Sequence, residues 1–256
     1  MTVSAADIAL AHRLADAAGA AIRPHFRALA AIETKADASP VTIADRAAEA
    51  AMRAILAAER SDDGIIGEEY GEDRPDAARV WVLDPIDGTR SFIAGRPLFG
   101  TLIALLADGV PVLGVIDQCI ARDRWLGAAG QATTLNGIAV TTRTRTMGRA
   151  HLATTSPHAF NVADFAGFER LRAGVGDTLY GGDCHNYGLL AAGHLDLVVE
   201  ANLKVYDWAA LVPVVTGAGG AMTDWAGAPL RRGSDGRVVA AGDAAILAKA
   251  VTALAD

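Results

Sequence analysis

Residues 80–92 read Val-Trp-Val-Leu-Asp-Pro-Ile-Asp-Gly-Thr-Arg-Ser-Phe. An apolar, strand-like run ends in two carboxylates, Asp84 and Asp87, with Pro85 between them and Gly88-Thr89 after them. A strand that delivers two acids to one rigid spot and then turns sharply brings like charges together. They repel each other unless a cation lies between them. All-oxygen ligands suit Mg²⁺, whose usual companion is a phosphate.

Outward from this stretch, the texture differs on its two sides. Upstream, residues 3–30 repeat Leu10, Leu14, Ala18, Ile22 and Phe26 at i+4, which predicts an amphipathic helix with a weak point at Pro24. Residues 31–41 read as a polar loop containing Lys35, and Thr42 opens a second helix that runs to about Arg60. Ile65-Ile66 is a short strand leading into Gly67-Glu68-Glu69, followed by acidic loop to Ala78. Downstream, 100–106 and 111–117 read as a hairpin and 124–128 as a further strand. After residues 140–150 strands and helices alternate: strands at 150–155, 178–181, 195–200 and 221–224, helices at 165–173, 183–192, 207–217 and 244–254. The pattern is that of a layered α/β or α+β protein. Residues 1–256 read as a single catalytic domain with a soft internal boundary near 140–150, between an N-terminal α+β half and a C-terminal α/β half.

With 256 residues and 52% hydrophobic content the chain can bury a sizeable core. A net charge of −7 argues against a nucleic-acid partner. No apolar run has the length of a membrane span, and the N-terminus lacks the pattern of a signal peptide. Cys119 and Cys184 match no metal or redox spacing, which fits two reduced thiols in a cytoplasmic protein.

Acids stand at the ends of several predicted elements: Glu68 and Glu69 after Ile65-Ile66, Asp84 and Asp87 after 80–83, and Asp207 at a helix opening after Val198-Val199-Glu200. Each has an ordinary alternative, as a solvated turn, a turn cap or a helix N-cap. Together they suit two or more ions that share bridging ligands. Two ions ~3.5–4 Å apart stabilise both oxygens of an in-line displacement and acidify a water toward a pKa of ~7.

Gly67-Glu68-Glu69, Asp84-Pro85-Ile86-Asp87-Gly88-Thr89 and Tyr206-Asp207-Trp208-Ala209-Ala210 resemble the three signatures of the inositol monophosphatase family of Mg²⁺-dependent phosphatases. The resemblance runs nearly end to end and includes Gly217-Ala218-Gly219-Gly220. One departure is Tyr206, where the family usually has Trp. The resemblance implies an α+β fold, the layered α-β-α-β-α sandwich of the inositol monophosphatase and fructose-1,6-bisphosphatase type. It implies two or three Mg²⁺ ions. Glu68, Asp84 and the Ile86 carbonyl would hold one, Asp84, Asp87 and Asp207 a second, and a weaker third would lie near Glu68 and Glu69. Gly88 and Thr89 would offer N–H groups to the phosphate, in keeping with free amides at a helix start. Thr89 and Asp45 would orient the attacking water, with Glu68 in the catalytic set. Thr42-Ile43-Ala44-Asp45 also fits a capping box, and the two roles are compatible. Family members are commonly homodimers, and a homodimer is expected here.

Specificity should come from groups facing the leaving alcohol. By position in the resemblance these are Asp183, in Tyr180-Gly181-Gly182-Asp183-Cys184, and Glu200. Two acids favour a cationic leaving group through charge-assisted hydrogen bonds. The segments 84–99, 114–118 and 182–188 look like the histidinol-phosphate phosphatase branch. The expected reaction is therefore hydrolysis of the phosphate monoester L-histidinol phosphate to L-histidinol and phosphate, in histidine biosynthesis. The alternatives are an inositol or sugar phosphatase of the same family, and a non-catalytic metal- or phosphate-binding regulator. The capping and solvated-surface readings of Asp183 and Glu200 compete with the pocket reading. His185 is expected at a helix surface or pocket rim, Ser156-Pro157-His158 in a loop, and Arg143, Arg145 and Arg149 in a solvated turn.

Overall fold

The structure of the protein, a computed structural model, describes residues 3–28, 32–34 and 40–255; Lys35 lies outside the described residues. Helix α1 (Ala5–Ile22) is capped by Ser4, whose hydroxyl accepts the Asp7 N–H, and buries Leu10, Leu14, Ala18 and Ile22. It stops at Ile22, short of the expected end. Pro24 has no N–H to continue the ladder, and the chain tightens into a 3₁₀ turn at Arg23–His25. Two short antiparallel strands, β1 (Ile32–Thr34) and β2 (Pro40–Thr42), occupy part of the segment read as loop. At three residues each they are too short for an alternating pattern to announce them. Helix α2 (Ile43–Glu59) begins at the Thr42–Asp45 capping box.

The next strands are β3 (Gly64–Gly67), β4 (Gly71–Asp73) and β5 (Arg79–Asp87), followed by the short helix α3 (Thr89–Ile93). Then come β6 (Gly100–Ala107), β7 (Val110–Gln118), β8 (Asp123–Ala128), β9 (Thr134–Leu135) and β10 (Ile138–Ala139). All eight strands from β3 to β10 join one sheet, in the order β10-β9-β8-β7-β6-β5-β3-β4, with only the β3–β5 pair parallel. β4 lies in the stretch read as acidic loop; its three residues are exposed and acidic at two positions, an edge strand without an apolar pattern.

The second half contributes β11 (His151–Thr154), α4 (Val162–Ala173), β12 (Asp177–Tyr180), α5 (His185–Ala191) and β13 (Leu197–Glu200). It continues with α6 (Val205–Trp208), α7 (Leu211–Gly217), β14 (Ala221–Thr223), β15 (Val238–Ala241) and α8 (Ala244–Ala255). The five strands form a mixed sheet in the order β12-β11-β13-β15-β14. The helix expected over 207–217 is two helices. Pro213 lacks an N–H and its ring would collide with the Ala209 carbonyl, so the helix breaks there.

Side-chain alternation sorts these elements into layers. Trp81 and Leu83 of β5 pack with Leu10, Leu14 and Met52 from α1 and α2, while Val80 and Val82 face the other way. That second face packs with Tyr187, Leu190, Trp208 and Val214 from α5, α6 and α7, and with Val198 and Ala240 of the second sheet. The far face of the second sheet, through Leu152, Leu197 and Val239, buries Phe168 of α4 and Ile246 of α8. The layers thus run α-β-α-β-α, the α+β sandwich expected. Among the described residues, no helix is long and apolar enough to cross a membrane.

The segment linking the two sheets is not a solvated turn throughout. Arg143 binds the buried Asp196 through Nε and Nη2 at 2.7 and 2.8 Å, and Asp196 also accepts the His151 N–H at 2.7 Å. The partner lies 53 positions away, beyond the reach of local pattern.

Candidate active site

β3 and β5 run parallel with Gly67 opposite Leu83, so both strands end at the same edge. The Glu68 N–H donates to the Leu83 carbonyl at 3.1 Å, and the Glu68 charge acts on Asp84. In a regular strand Asp84 and Asp87, three apart, would face opposite sides of the sheet. The β5–β6 register slips between them, across Pro85-Ile86, and this irregularity brings both carboxylates to one side. The Pro85 carbonyl accepts the Thr101 hydroxyl at 2.8 Å, which holds the irregular segment in place. Asp207 arrives from the first turn of α6, a helix that packs on β5; the Lys204 N–H donates to its Oδ2 at 2.6 Å. One carboxylate oxygen each from Asp84, Asp87 and Asp207 lie within 4.8 Å of one another.

The charges conflict. Burial, and then the charges of Glu68, Asp87 and Asp207, push the Asp84 carboxyl well above its usual range. Burial, then Asp183 and Asp207, do the same to Asp87. Burial pushes Asp207 up to about 7, with the Lys204 N–H opposing the rise and Glu68 adding to it. Neighbouring groups fix the orientation: Asp84 Oδ1 accepts the Ile86 N–H at 3.0 Å and Asp87 Oδ2 the Cys184 N–H at 2.6 Å. Crowded, oriented carboxylates of this kind are the donor set of a hard divalent cation, and the residues fit such an ion.

Glu68 and Glu69 do not sit in a freely solvated turn. The Glu69 and Tyr70 N–H groups donate to the buried carboxylate of Glu49, at 2.7 and 3.2 Å, and Arg53 Nε donates to it at 2.7 Å. Gly67 is required here, because a Cβ would lie 2.0 Å from Glu49 Oε1. Sequence reading missed Glu49; a lone acid at a buried position of an otherwise alanine-rich helix face was its only signal.

Asp45 is fully buried at the start of α2. Its Oδ2 accepts the Thr42 N–H at 2.8 Å and hydroxyl at 2.5 Å, whereas Oδ1 is buried without a partner among the described residues. Burial, with the Glu68 charge adding to it, raises its pKa against the Thr42 donors. Thr89 opens α3 after Gly88, and its hydroxyl donates to the Ile86 carbonyl at 3.1 Å. Asp45 and Thr89 share no hydrogen bond with each other in this arrangement.

Asp183 and Glu200 reach the same place from the other sheet. Together with Asp87, Asp207, Thr155, Ala159, Cys184 and Leu203 they line a cavity of about 130 Å³. Asp183 does not cap α5. Its backbone is left-handed (φ 45°), and its Oδ2 accepts the Ser91 hydroxyl at 2.8 Å. Gly88 (φ 87°) permits this close approach, since a Cβ there would lie 2.8 Å from the Asp183 carboxyl. Burial raises Asp183 against the Ser91 hydrogen bond. Glu200 is buried rather than facing water, and Thr155 donates to its Oε1 through both N–H, at 2.7 Å, and hydroxyl, at 2.8 Å. Burial pushes Glu200 up to about 7 in spite of Thr155.

Ser91 and Thr155 were not foreseen as site residues. Ser91 stands inside the stretch 80–92 and Thr155 at the end of the strand read at 150–155, but neither hydroxyl was assigned a role there. Ser156 instead caps the short turn Pro157–Ala159, accepting the His158 N–H at 3.3 Å. His185, at the start of α5, is half-buried and does not line the carboxylate cavity; its ring packs on Trp125 at 5.3 Å between centroids. An adjoining cavity of about 480 Å³, lined by Glu68, Lys204, Tyr206 and Arg232 among others, lies beyond Glu68.

A layered sandwich with buried, converging carboxylates at a strand irregularity defines a class of metal-dependent phosphatase folds. The family model of the inositol monophosphatase family matches residues 5–255, and the chain belongs to that family. The chain is 51% identical over 222 residues to the bifunctional phosphatase IMPL2, chloroplastic, of Arabidopsis thaliana; the match covers 86% of this chain and 64% of that longer protein. It is 38% identical over 229 residues to a histidinol-phosphatase of Mycobacterium tuberculosis, covering 85% of this chain and 86% of that one. A solved structure of an inositol monophosphatase from Zymomonas mobilis superposes with a TM-score of 0.92 at 56% identity, over 99% of this chain and 100% of that one.

Proposed function

We propose that the protein is a Mg²⁺-dependent histidinol-phosphatase, hydrolysing L-histidinol phosphate to L-histidinol and phosphate. The observation that carries this reading is the meeting of two acid sets at one cavity. Asp87 and Asp207, which cluster with Asp84, line one cavity together with Asp183 and Glu200, and a leaving alcohol would sit in it. Glu68, Asp84 and the Ile86 carbonyl would hold one ion, and Asp84, Asp87 and Asp207 a second, with a third near Glu68 and Glu69. When bound, these ions supply charge neutralisation of the phosphoryl oxygens and acidification of a water.

The chain's own groups do the rest. Gly88 and Thr89 present backbone N–H donors to the phosphate at the start of α3. Asp45 Oδ1, a buried acceptor without a partner, takes a hydrogen bond from the attacking water, and Thr89 Oγ orients that water from the other side. Glu68 keeps the catalytic role assigned to it from the sequence. Asp183 is held by the Ser91 hydroxyl on one oxygen, and Glu200 by Thr155 on Oε1 and the Thr154 hydroxyl on Oε2 at 3.3 Å, so both carboxyls are oriented toward the leaving group. A cationic alcohol suits them better than a neutral polyol.

A second reading, phosphatase action on inositol phosphates, draws support from the Zymomonas mobilis structure and its name. Phosphate release from a panel of esters with Mg²⁺ separates the two. A higher kcat/KM for L-histidinol phosphate than for myo-inositol 1-phosphate supports the first reading, and the reverse order rejects it. The same residues are proposed to act as one catalytic domain in a cytoplasmic homodimer without nucleic-acid or membrane partners. The continuous core shared by both sheets favours the one-domain reading. The exposed Leu179 and Tyr180 on the edge strand β12 favour pairing with a second copy.

A further inference from the structure

Tyr187 lies on α5, within the segment 182–188 but with no role assigned to it from the sequence, and is 2% exposed within the core between the two sheets. Its hydroxyl has no hydrogen-bond partner among the described residues. A phenylalanine would fill the same volume, and a buried, unpaired hydroxyl is destabilising. Two other polar atoms nearby, Trp125 Nε1 and His185 Nδ1, are also unpartnered, but neither residue lines the cavity at the carboxylates. Tyr187 does line it, with Asp183 and Glu200. The charges of Glu200, Asp87 and Asp207 all act on the phenol, which with burial keeps it protonated far above neutral pH.

We propose that the Tyr187 hydroxyl is a substrate-binding group that accepts a hydrogen bond from an ammonium N–H of the leaving alcohol. The proposal rests on the reading that Asp183 and Glu200 face a cationic leaving group. A primary ammonium has three N–H donors and no acceptor. Asp183, Glu200 and the Tyr187 oxygen are three acceptors around one cavity, two charged and one neutral. The hydroxyl completes the count without adding a third negative charge to a site already crowded with carboxylates. Its own proton is free to turn toward one of them once the cation lies between.

The test is Tyr187→Phe, assayed with L-histidinol phosphate and with its deaminated analogue, 3-(imidazol-4-yl)propyl phosphate, at saturating Mg²⁺. KM for L-histidinol phosphate should rise about tenfold, as for loss of one hydrogen bond to a charged group, with kcat within about twofold. KM for the analogue should rise less than about twofold, so that most of the discrimination is erased. L-histidinol, followed by calorimetry in the presence of Mg²⁺ and phosphate, should bind the variant about tenfold more weakly. The variant should melt at the same temperature or higher, because it loses an unpaired buried hydroxyl. Equal losses with both esters, or a fall in kcat for both, would overturn the proposal in favour of a structural role. A wild-type enzyme that does not discriminate between the two esters overturns the cationic leaving-group reading. Discrimination that survives intact in Tyr187→Phe overturns the role of Tyr187 alone.

Discussion

Ser91 and Asp183 are 92 positions apart, yet the Ser91 hydroxyl donates to Asp183 Oδ2 at 2.8 Å. The bond ties α3, which follows the Asp84–Asp87 segment, to the loop that opens α5. It fixes one oxygen of Asp183 and leaves the other for the cavity. Asp183→Asn should therefore lower kcat/KM for L-histidinol phosphate by about 10- to 100-fold, as for a lost charge-assisted hydrogen bond. Ser91→Ala should cost about three- to tenfold through lost orientation. Steady-state kinetics on cationic and neutral esters checks both. A uniform loss across all esters would contradict a recognition role for Asp183.

Asp84 shares its surroundings with three other acids, and this arrangement resists folding when no cation is present. Divalent ions should therefore raise the melting temperature, by linkage worth about 2.7 kcal/mol at a hundredfold excess over Kd. Asp84→Asn should lower kcat by more than about a hundredfold, beyond the range for lost outer-sphere partners. In EDTA it should melt at or above the wild-type temperature, and Mg²⁺ should shift its melting little. Calorimetric scans with and without Mg²⁺ read these effects. A Mg²⁺ response equal to that of wild type would remove Asp84 from the ion site.

Much of this was legible in the chain because the relevant residues stand at ends of patterned elements. Residues 80–83 are apolar and end in two acids, and the strand with its terminal carboxylates follows from that. Asp45 and Thr42 spell a local capping box that the fold keeps. What escaped has a common cause: the partner lies far along the chain. Ser91 with Asp183, Thr155 with Glu200, and Arg143 with Asp196 pair across 92, 45 and 53 positions. Periodicity carries no information at such range. The edge strands β1, β2 and β4 escaped for another reason, since pairing at a sheet margin needs no apolar alternation.

Glu200 gives the protein a pH-dependent stability. Its folded pKa of about 7 is above the usual carboxylate value, chiefly through burial. The sign follows directly. A raised acid contributes stability that is full below the unfolded pKa of ~4.3 and is lost as pH rises through the folded value. Between about pH 4.5 and 7, Glu200→Gln should therefore gain stability relative to wild type, by on the order of 3 kcal/mol at the upper end. Urea titrations in EDTA across this range measure the difference. A constant gap between the two proteins would mean that Glu200 is ionised throughout.

Asp196 acts in the opposite sense. Burial alone would raise its pKa, but the Arg143 guanidinium and the His151 N–H outweigh burial and hold it below the usual range. Its contribution is present above the unfolded value and lost as pH falls through the folded one. Asp196→Ala leaves Arg143 without its partner and should cost about 3 kcal/mol, or a fall of about 6–12 °C in Tm. The loss should shrink as pH falls below the usual carboxylate range, where wild type protonates as well. Thermal melts at pH 7 and at acid pH report this convergence.

Glu49 tests whether the acidic loop is positioned from beneath. It touches neither cavity at the carboxylates, but its two oxygens accept the Glu69 and Tyr70 N–H groups and the Arg53 guanidinium. Those bonds set where Glu68 stands relative to Asp84. Glu49→Gln keeps the volume but replaces one acceptor oxygen with an NH₂ group facing donors. It should raise the Mg²⁺ concentration for half-maximal activity by about 10- to 100-fold, the effect of losing a partner behind a metal ligand. The KM for ester at saturating Mg²⁺ should move by less than about threefold, since Asp183 and Glu200 are untouched. Glu49→Asp retains the charge on a shorter arm and should recover part of the lost Mg²⁺ affinity. A merely structural role would lower Tm without this split between Mg²⁺ and substrate dependence, and a Glu49→Asp variant no better than Glu49→Gln would point the same way.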